Sequence, residues 1–166
     1  MVISLLITHT SSGKTAAAEI LDALLPLDAD THVILTRYEG VILVDTKIDP
    51  FQASSAIIRS LPSGIKKVVP LVAIVKASIP EIIDSTLKIM NSYKSNRSFA
   101  IRATVRGSRL EKKDIEEMVG ATIKDKLGIG VDLKTPEIIV FIEVIDDIAG
   151  VSVISSSYPI SIKAVF

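Results

Sequence analysis

A chain of 166 residues with no cysteine and only two histidines excludes disulfides, thiolate nucleophiles and cysteine-ligated zinc. The apolar fraction is 48% and the aromatic fraction 4%, which predicts an aliphatic core; no apolar run approaches the ~18 residues of a membrane span. Nineteen Lys and Arg balance nineteen Asp and Glu, but residues 65–113 hold eleven cations against three acids, and both flanks are acidic.

Val2–Thr8 reads as a buried strand. Gly13–Leu25 reads as a helix with Ala17, Ile20, Leu21 and Leu24 on one face, stopped by Pro26. Val33–Thr36 and Val41–Thr46 read as a hairpin through Arg37-Tyr38-Glu39-Gly40. Asp49 and Pro50 open a second helix, expected to bury Ser54, Ile57, Ile58 and Leu61 before Pro62-Ser63-Gly64. Lys67–Lys76 reads as one further strand. The order β-α-β-β-α-β is the ferredoxin-like arrangement.

In the second half, Ser78 caps a helix that presents Ile79, Ile83, Leu87 and Met90. Residues 91–98 read as a loop and Phe99–Val105 as a strand. A helix over 111–127 turns Ile115, Met118, Val119, Thr122 and Ile123 inward and ends at Gly128. Glu137–Ile145 and Val151–Ser155 read as antiparallel strands turned by Asp146-Asp147, with Ile160–Val165 a further candidate. The fold class is mixed α/β (α+β). Two domains are expected to pack together, 1–76 and 77–166, with no long linker between them.

A cationic stretch with little opposing charge attracts a polyanion, and nucleic acid leads. The cations singled out are Lys66, Lys67, Arg97, Arg102, Arg106, Arg109, Lys112 and Lys113. Arg102 and Arg106 share one face of their strand, roughly 13 Å apart, a span that meets neighbouring phosphates. The competing assignment is a structural ion pair at Arg102 or Arg106, for Arg102 with a carboxylate on the next strand such as Glu143. Lys112 and Lys113 stand at a helix start, where cations oppose the macrodipole; a bound anion would explain them.

Ser11-Ser12-Gly13-Lys14-Thr15 follows a strand and opens a helix, as a phosphate-binding loop does. The pattern asks for glycine at position 8, where Thr8 stands, and Asp45 is a weak candidate for a magnesium carboxylate. The alternative is a capped helix start. His9 and His32 could share one sheet edge, but without cysteine no metal site is assigned, and no cofactor is expected. The single Gln and two Asn suit a thermophilic source. The N-terminus shows no signal peptide, so a cytoplasmic location is expected.

Phe99-Ala100-Ile101-Arg102 through Arg106-Gly107, Gly120-Ala121-Thr122-Ile123, and Val131-Asp132-Leu133-Lys134-Thr135-Pro136-Glu137 with Gly150-Val151-Ser152 resemble THUMP domains. Lys66-Lys67-Val68-Val69-Pro70-Leu71 is similar to the entry into that domain, with a family-style boundary near residue 53. With Glu19-Ile20 and Thr36-Arg37-Tyr38-Glu39-Gly40-Val41-Ile42, the arrangement resembles the stand-alone THUMP proteins, archaeal in character, that assist tRNA cytidine acetylation. The resemblance implies a ferredoxin-like domain and a THUMP domain that together bind the acceptor stem and single-stranded 3′ end of tRNA. It also implies an adaptor without catalysis, since the chain leaves no room for a catalytic domain and a separate modification enzyme would do the chemistry. The alternatives are a nucleotide or small-ligand module built on Ser11–Thr15 and a subunit that binds only protein.

Overall fold

The computed structural model describes residues 1–93 and 98–162. Arg97, expected among the cations, lies outside them, as does the end of the strand expected over 160–165. Two compact units divide the chain after Leu71, and the chain rejoins the first unit from Pro159. The sequence reading divided it between 76 and 77.

The first unit runs β1 (Ile3–His9), α1 (Gly13–Leu24), β2 (His32–Leu35), β3 (Val41–Asp45), α2 (Pro50–Arg59) and β4 (Ile65–Pro70). Its sheet has the order β2-β3-β1-β4 with every neighbouring pair antiparallel, the ferredoxin-like layout. Leu5, Ile7, Ile42, Val44 and Val68 of the sheet pack against Ala16, Ile20 and Leu24 of α1 and Ala53, Ile57 and Ile58 of α2. The buried row of α1 keeps Ile20 and Leu24 of the expected face and adds Ala16. It follows the four-residue ridge, on which Ala16 permits close approach, while Ala17 and Leu21 are half-buried. Asp49 caps α2 by accepting from the backbone N–H of Phe51 and Gln52.

Leu61 does not join the core. It lies past the end of α2, 55% exposed, in the left-handed region at φ 54°. That conformation costs a β-carbon-bearing residue about 1–2 kcal/mol. Leu61→Gly is therefore expected to stabilise the protein by roughly 1 kcal/mol. A lower melting temperature by calorimetry would contradict this.

The strand expected over Lys67–Lys76 is two strands in two sheets. Pro70, which has no N–H to give a ladder, closes β4, and Leu71-Val72 carry the chain onward. The second unit runs β5 (Ala73–Lys76), α3 (Ile79–Met90), β6 (Phe99–Arg106), α4 (Lys112–Leu127), β7 (Ile138–Ile145) and β8 (Ile148–Ser155). Its sheet has the order β5-β8-β7-β6, with β6 and β7 parallel across α4 and the other pairs antiparallel. Asp146, at φ 53°, and Asp147 make the tight turn between β7 and β8.

One face of this sheet meets both helices. Phe99, Ile101, Ala103, Ile138, Val140, Ile142 and Val144 pack there with Ile82, Met90, Ile115, Val119 and Ile123. In α3, Ile82, Ser85, Thr86 and Met90 are the buried residues, and the expected Ile79, Ile83 and Leu87 flank them half-buried. Pro80, Glu81, Asp84 and Lys88 are exposed, so the helix has one wide apolar arc, and its buried row is centred toward the Ile82 side of that arc. In α4, Met118 is half-exposed instead of inward, and Gly120 is buried in the core row. A β-carbon on Gly120 would lie 3.6 Å from Ile101 Cδ1, an ordinary van der Waals contact, so the position faces β6 without requiring glycine. Gly128 ends α4 at φ 65°. Among the described residues, no helix is long and apolar enough to cross a membrane.

Candidate nucleic-acid interface

Period-two alternation along β6 sends Phe99, Ile101 and Ala103 into the core and leaves Arg102 exposed on the opposite side. The parallel register sets Arg102 beside Phe141, Thr104 beside Glu143 and Arg106 beside Ile145. Glu143 is therefore offset equally from both arginines. It pairs with Arg106, whose Nη1 donates to Glu143 Oε2 at 3.1 Å. The Glu143 side chain is 2% exposed and that of Arg106 20%. The sequence leaves either arginine free to meet a phosphate or to form a structural ion pair, and names Glu143 as a partner for Arg102. In the structure Arg106 neutralises a buried carboxylate, and this pairing leaves Arg102 as the exposed cation of the strand.

Arg102 opens onto a groove of about 470 Å³ lined by Lys134, Thr135, Pro136, Glu137, Ile139 and Ser156. The loop that brings Lys134 there is tied down along its length. The Asp132 N–H donates to the Phe99 carbonyl at 2.9 Å, and its carboxylate accepts from Lys134 N, Thr135 N and Thr135 Oγ1, each at 3.0 Å. Beyond the buried Pro136, Glu137 N donates to the Ser98 carbonyl and hydroxyl, both at 3.1 Å. Lys134 was not singled out among the cations. Its signal was the Asp-x-x-Thr-Pro turn around it, which pins a short polar segment through the Asp side chain.

The Thr135 N–H, then the Lys134 N–H and the Thr135 hydroxyl, hold the Asp132 carboxyl below its ordinary pKa. A depressed carboxylate stabilises the folded loop above its unfolded value near pH ~4, and that contribution is lost as pH falls through the lower folded value. An NMR titration of Asp132 should give a midpoint below ~3.9. The Lys134 and Thr135 amides should shift with it. A midpoint at or above the ordinary value would contradict the turn geometry.

The other predicted cations divide into separate groups. Arg109, Lys112 and Lys113 are exposed beyond the far end of β6 from Phe99. Glu111 is the N-cap of α4 without a side-chain capping bond, and Lys112 and Lys113 sit 3.8 and 3.9 Å from Glu116 and Glu117. Such exposed pairs contribute ~0.5 kcal/mol or less, so both ammonium groups remain open to an anion. Lys66 and Lys67 stand on β4 of the first unit, Lys66 exposed and Lys67 half-buried, with Lys67 bridging to Ser161.

In the first unit a concavity of about 660 Å³ adjoins the start of α1, lined in part by His9, Ser11, Ser12, Gly13, Leu35 and Tyr38. Ser12 caps the helix by accepting from Thr15 N at 3.1 Å. Asp45 pairs with Ile3 and accepts from Val2 N at 2.8 Å, at the other end of β1 from this loop. The segment is thus a capped helix start. His9 and His32 fall at opposite ends of the sheet: His9 follows Thr8, which pairs with Val41, whereas His32 pairs with Asp45. β2 runs parallel to β1 with β3 between them, so the end of one strand and the start of the other cannot share an edge. Among the described residues, no group of three or more His, Cys, Asp or Glu could hold a metal ion.

The THUMP domain family model matches residues 76–154, a span that contains both Arg102 and the Asp132 turn. The probable tRNA sulfurtransferase of Aeropyrum pernix is 27% identical over 117 residues, which are 70% of this chain and 30% of that protein. Among solved structures, PH1313 from Pyrococcus horikoshii superposes with a TM-score of 0.73 at 19% identity, over 96% of this chain and 57% of that one. TrmN from Thermus thermophilus gives 0.63 at 17% identity, over 90% and 45%. A 4-thiouridine synthetase solved with RNA and bound ATP gives 0.61 at 16% identity, over 96% and 43%. At these identities the superpositions establish a shared fold. The chain spans less than two thirds of each of these relatives.

Proposed function

We propose that the chain is a tRNA-binding adaptor. It holds the acceptor stem and single-stranded 3′ end of tRNA and presents them to a separate modification enzyme, a cytidine acetyltransferase, without performing chemistry itself. The observation that carries this reading is the Arg102–Lys134 groove inside the THUMP domain: two cations with the hydroxyl residues Thr135 and Ser156 and one carboxylate, Glu137, beside a pinned loop. Charged hydrogen bonds to phosphate are among the stronger polar contacts, and backbone contacts of this kind position an RNA without reading its sequence. Relatives named for tRNA sulfur transfer and thiouridine synthesis support a role in tRNA modification. The absence of cysteine and the separation of the two histidines support a non-catalytic role.

The test is nucleoside analysis by mass spectrometry. The purified chain with tRNA and ATP, acetyl-CoA or S-adenosylmethionine should leave every nucleoside unchanged. Adding it to a tRNA cytidine acetyltransferase from the same source should raise acetylcytidine formation. A modified nucleoside made by this chain alone would defeat the adaptor reading, and stimulation of a different modification would reassign the partner.

A further inference from the structure

We propose that Leu133 is an RNA-contacting residue, an aliphatic platform for an unpaired base at the tRNA 3′ end whose phosphate lies on Arg102 and Lys134. The inference rests on the tRNA-binding reading above. Leu133 is 75% exposed and Val131, two residues earlier, 51%. Single exposed apolar residues are common on protein surfaces; Leu133 differs in being held out. The Asp132 N–H and carboxylate fix the chain before and after it, and Ser98 fixes it again at Glu137. The loop therefore cannot readily fold its tip back to cover the side chain. Lys134, the next residue, faces the groove.

A cation and an apolar side chain on consecutive residues match the two halves of a nucleotide, phosphate and base face. A paired base inside a helix hides that face in the stack, whereas an unpaired one offers it. Stacking in RNA-binding proteins usually falls to aromatic side chains, but the strand beside this groove has none to give. Phe99 is fully buried and Phe141 is 3% exposed. Tyr158, two residues beyond Ser156, is half-buried, whereas Leu133 is the most exposed apolar side chain of the pinned loop.

The experiment compares Leu133→Ser and Leu133→Phe with the unaltered chain on two RNAs, intact tRNA and tRNA trimmed of its unpaired 3′ nucleotides. Leu133→Ser should bind intact tRNA about fivefold more weakly, at the low end of the range for one base stack. Leu133→Phe should restore or tighten binding. On trimmed tRNA all three should bind alike, and the melting temperature and salt dependence should not move. Undiminished binding of intact tRNA by Leu133→Ser, with the salt dependence and the effect of Arg102→Ala intact, overturns this inference and leaves the tRNA reading standing. An equal loss on both RNAs, or a loss seen only in association with the modification enzyme, also overturns it, the latter in favour of a protein contact. No binding of either RNA by the unaltered chain removes the tRNA reading itself.

Discussion

Replacing Arg102 and Lys134 together by alanine is expected to weaken tRNA binding by about two orders of magnitude at low salt. Each residue offers one charge-assisted contact of about 1.5 kcal/mol, and about 1.4 kcal/mol is a factor of ten. The pair should also flatten the dependence of log affinity on log salt by about 1.4, because each lost contact to single-stranded RNA removes ~0.7. The loss should be similar for all tRNAs, since phosphates carry no sequence information. Stability should change little, because both side chains are exposed. Mobility shifts across a salt series, with a melting curve on each variant, make the measurement. An unchanged slope removes the groove from the interface.

Arg106→Ala should do the reverse. Deleting one member of a buried pair leaves the 2%-exposed Glu143 without its guanidinium, a change that costs about 3 kcal/mol. In a chain of this size that lowers the melting temperature by roughly 6–12 °C. The tRNA affinity and salt slope of the folded protein should stay close to those of the unaltered chain. Adding Glu143→Leu should recover much of the lost stability, because an apolar replacement removes the buried carboxylate. A stable Arg106→Ala protein with weakened tRNA binding would return Arg106 to the interface.

These two arginines mark where the sequence was legible and where it was not. Period-two spacing put Arg102 and Arg106 on one face of β6, and that is how they stand. Spacing could not assign Glu143, because it lies midway between them in the register, and the register itself depends on which strands pair and in which direction. The ferredoxin-like order was readable from alternating strand and helix patterns and from caps such as Asp49 and Ser12. The division of Lys67–Lys76 was readable only at Pro70, whose missing N–H marks the end of β4. The apolar arc of α3 was legible, but not that its buried row centres on the Ile82 side of the arc, and in α4 no hydrophobic spacing marks Gly120, which is buried in the core row. Lys134 lies in a loop without periodicity, and its place beside Arg102 follows from the parallel pairing of β6 with β7, a contact between distant parts of the chain.

The central claim is that a neutral chain binds tRNA through local clusters of cations, and the affinity for tRNA as a function of salt tests it most directly. If Arg102 and Lys134 alone meet phosphates, the log–log slope is about −1.4, and if Arg109, Lys112 and Lys113 join them it is about −3.5. The account predicts a slope between these limits for the intact chain. Failure to bind tRNA even at low salt, or an affinity that does not change with salt, would contradict it.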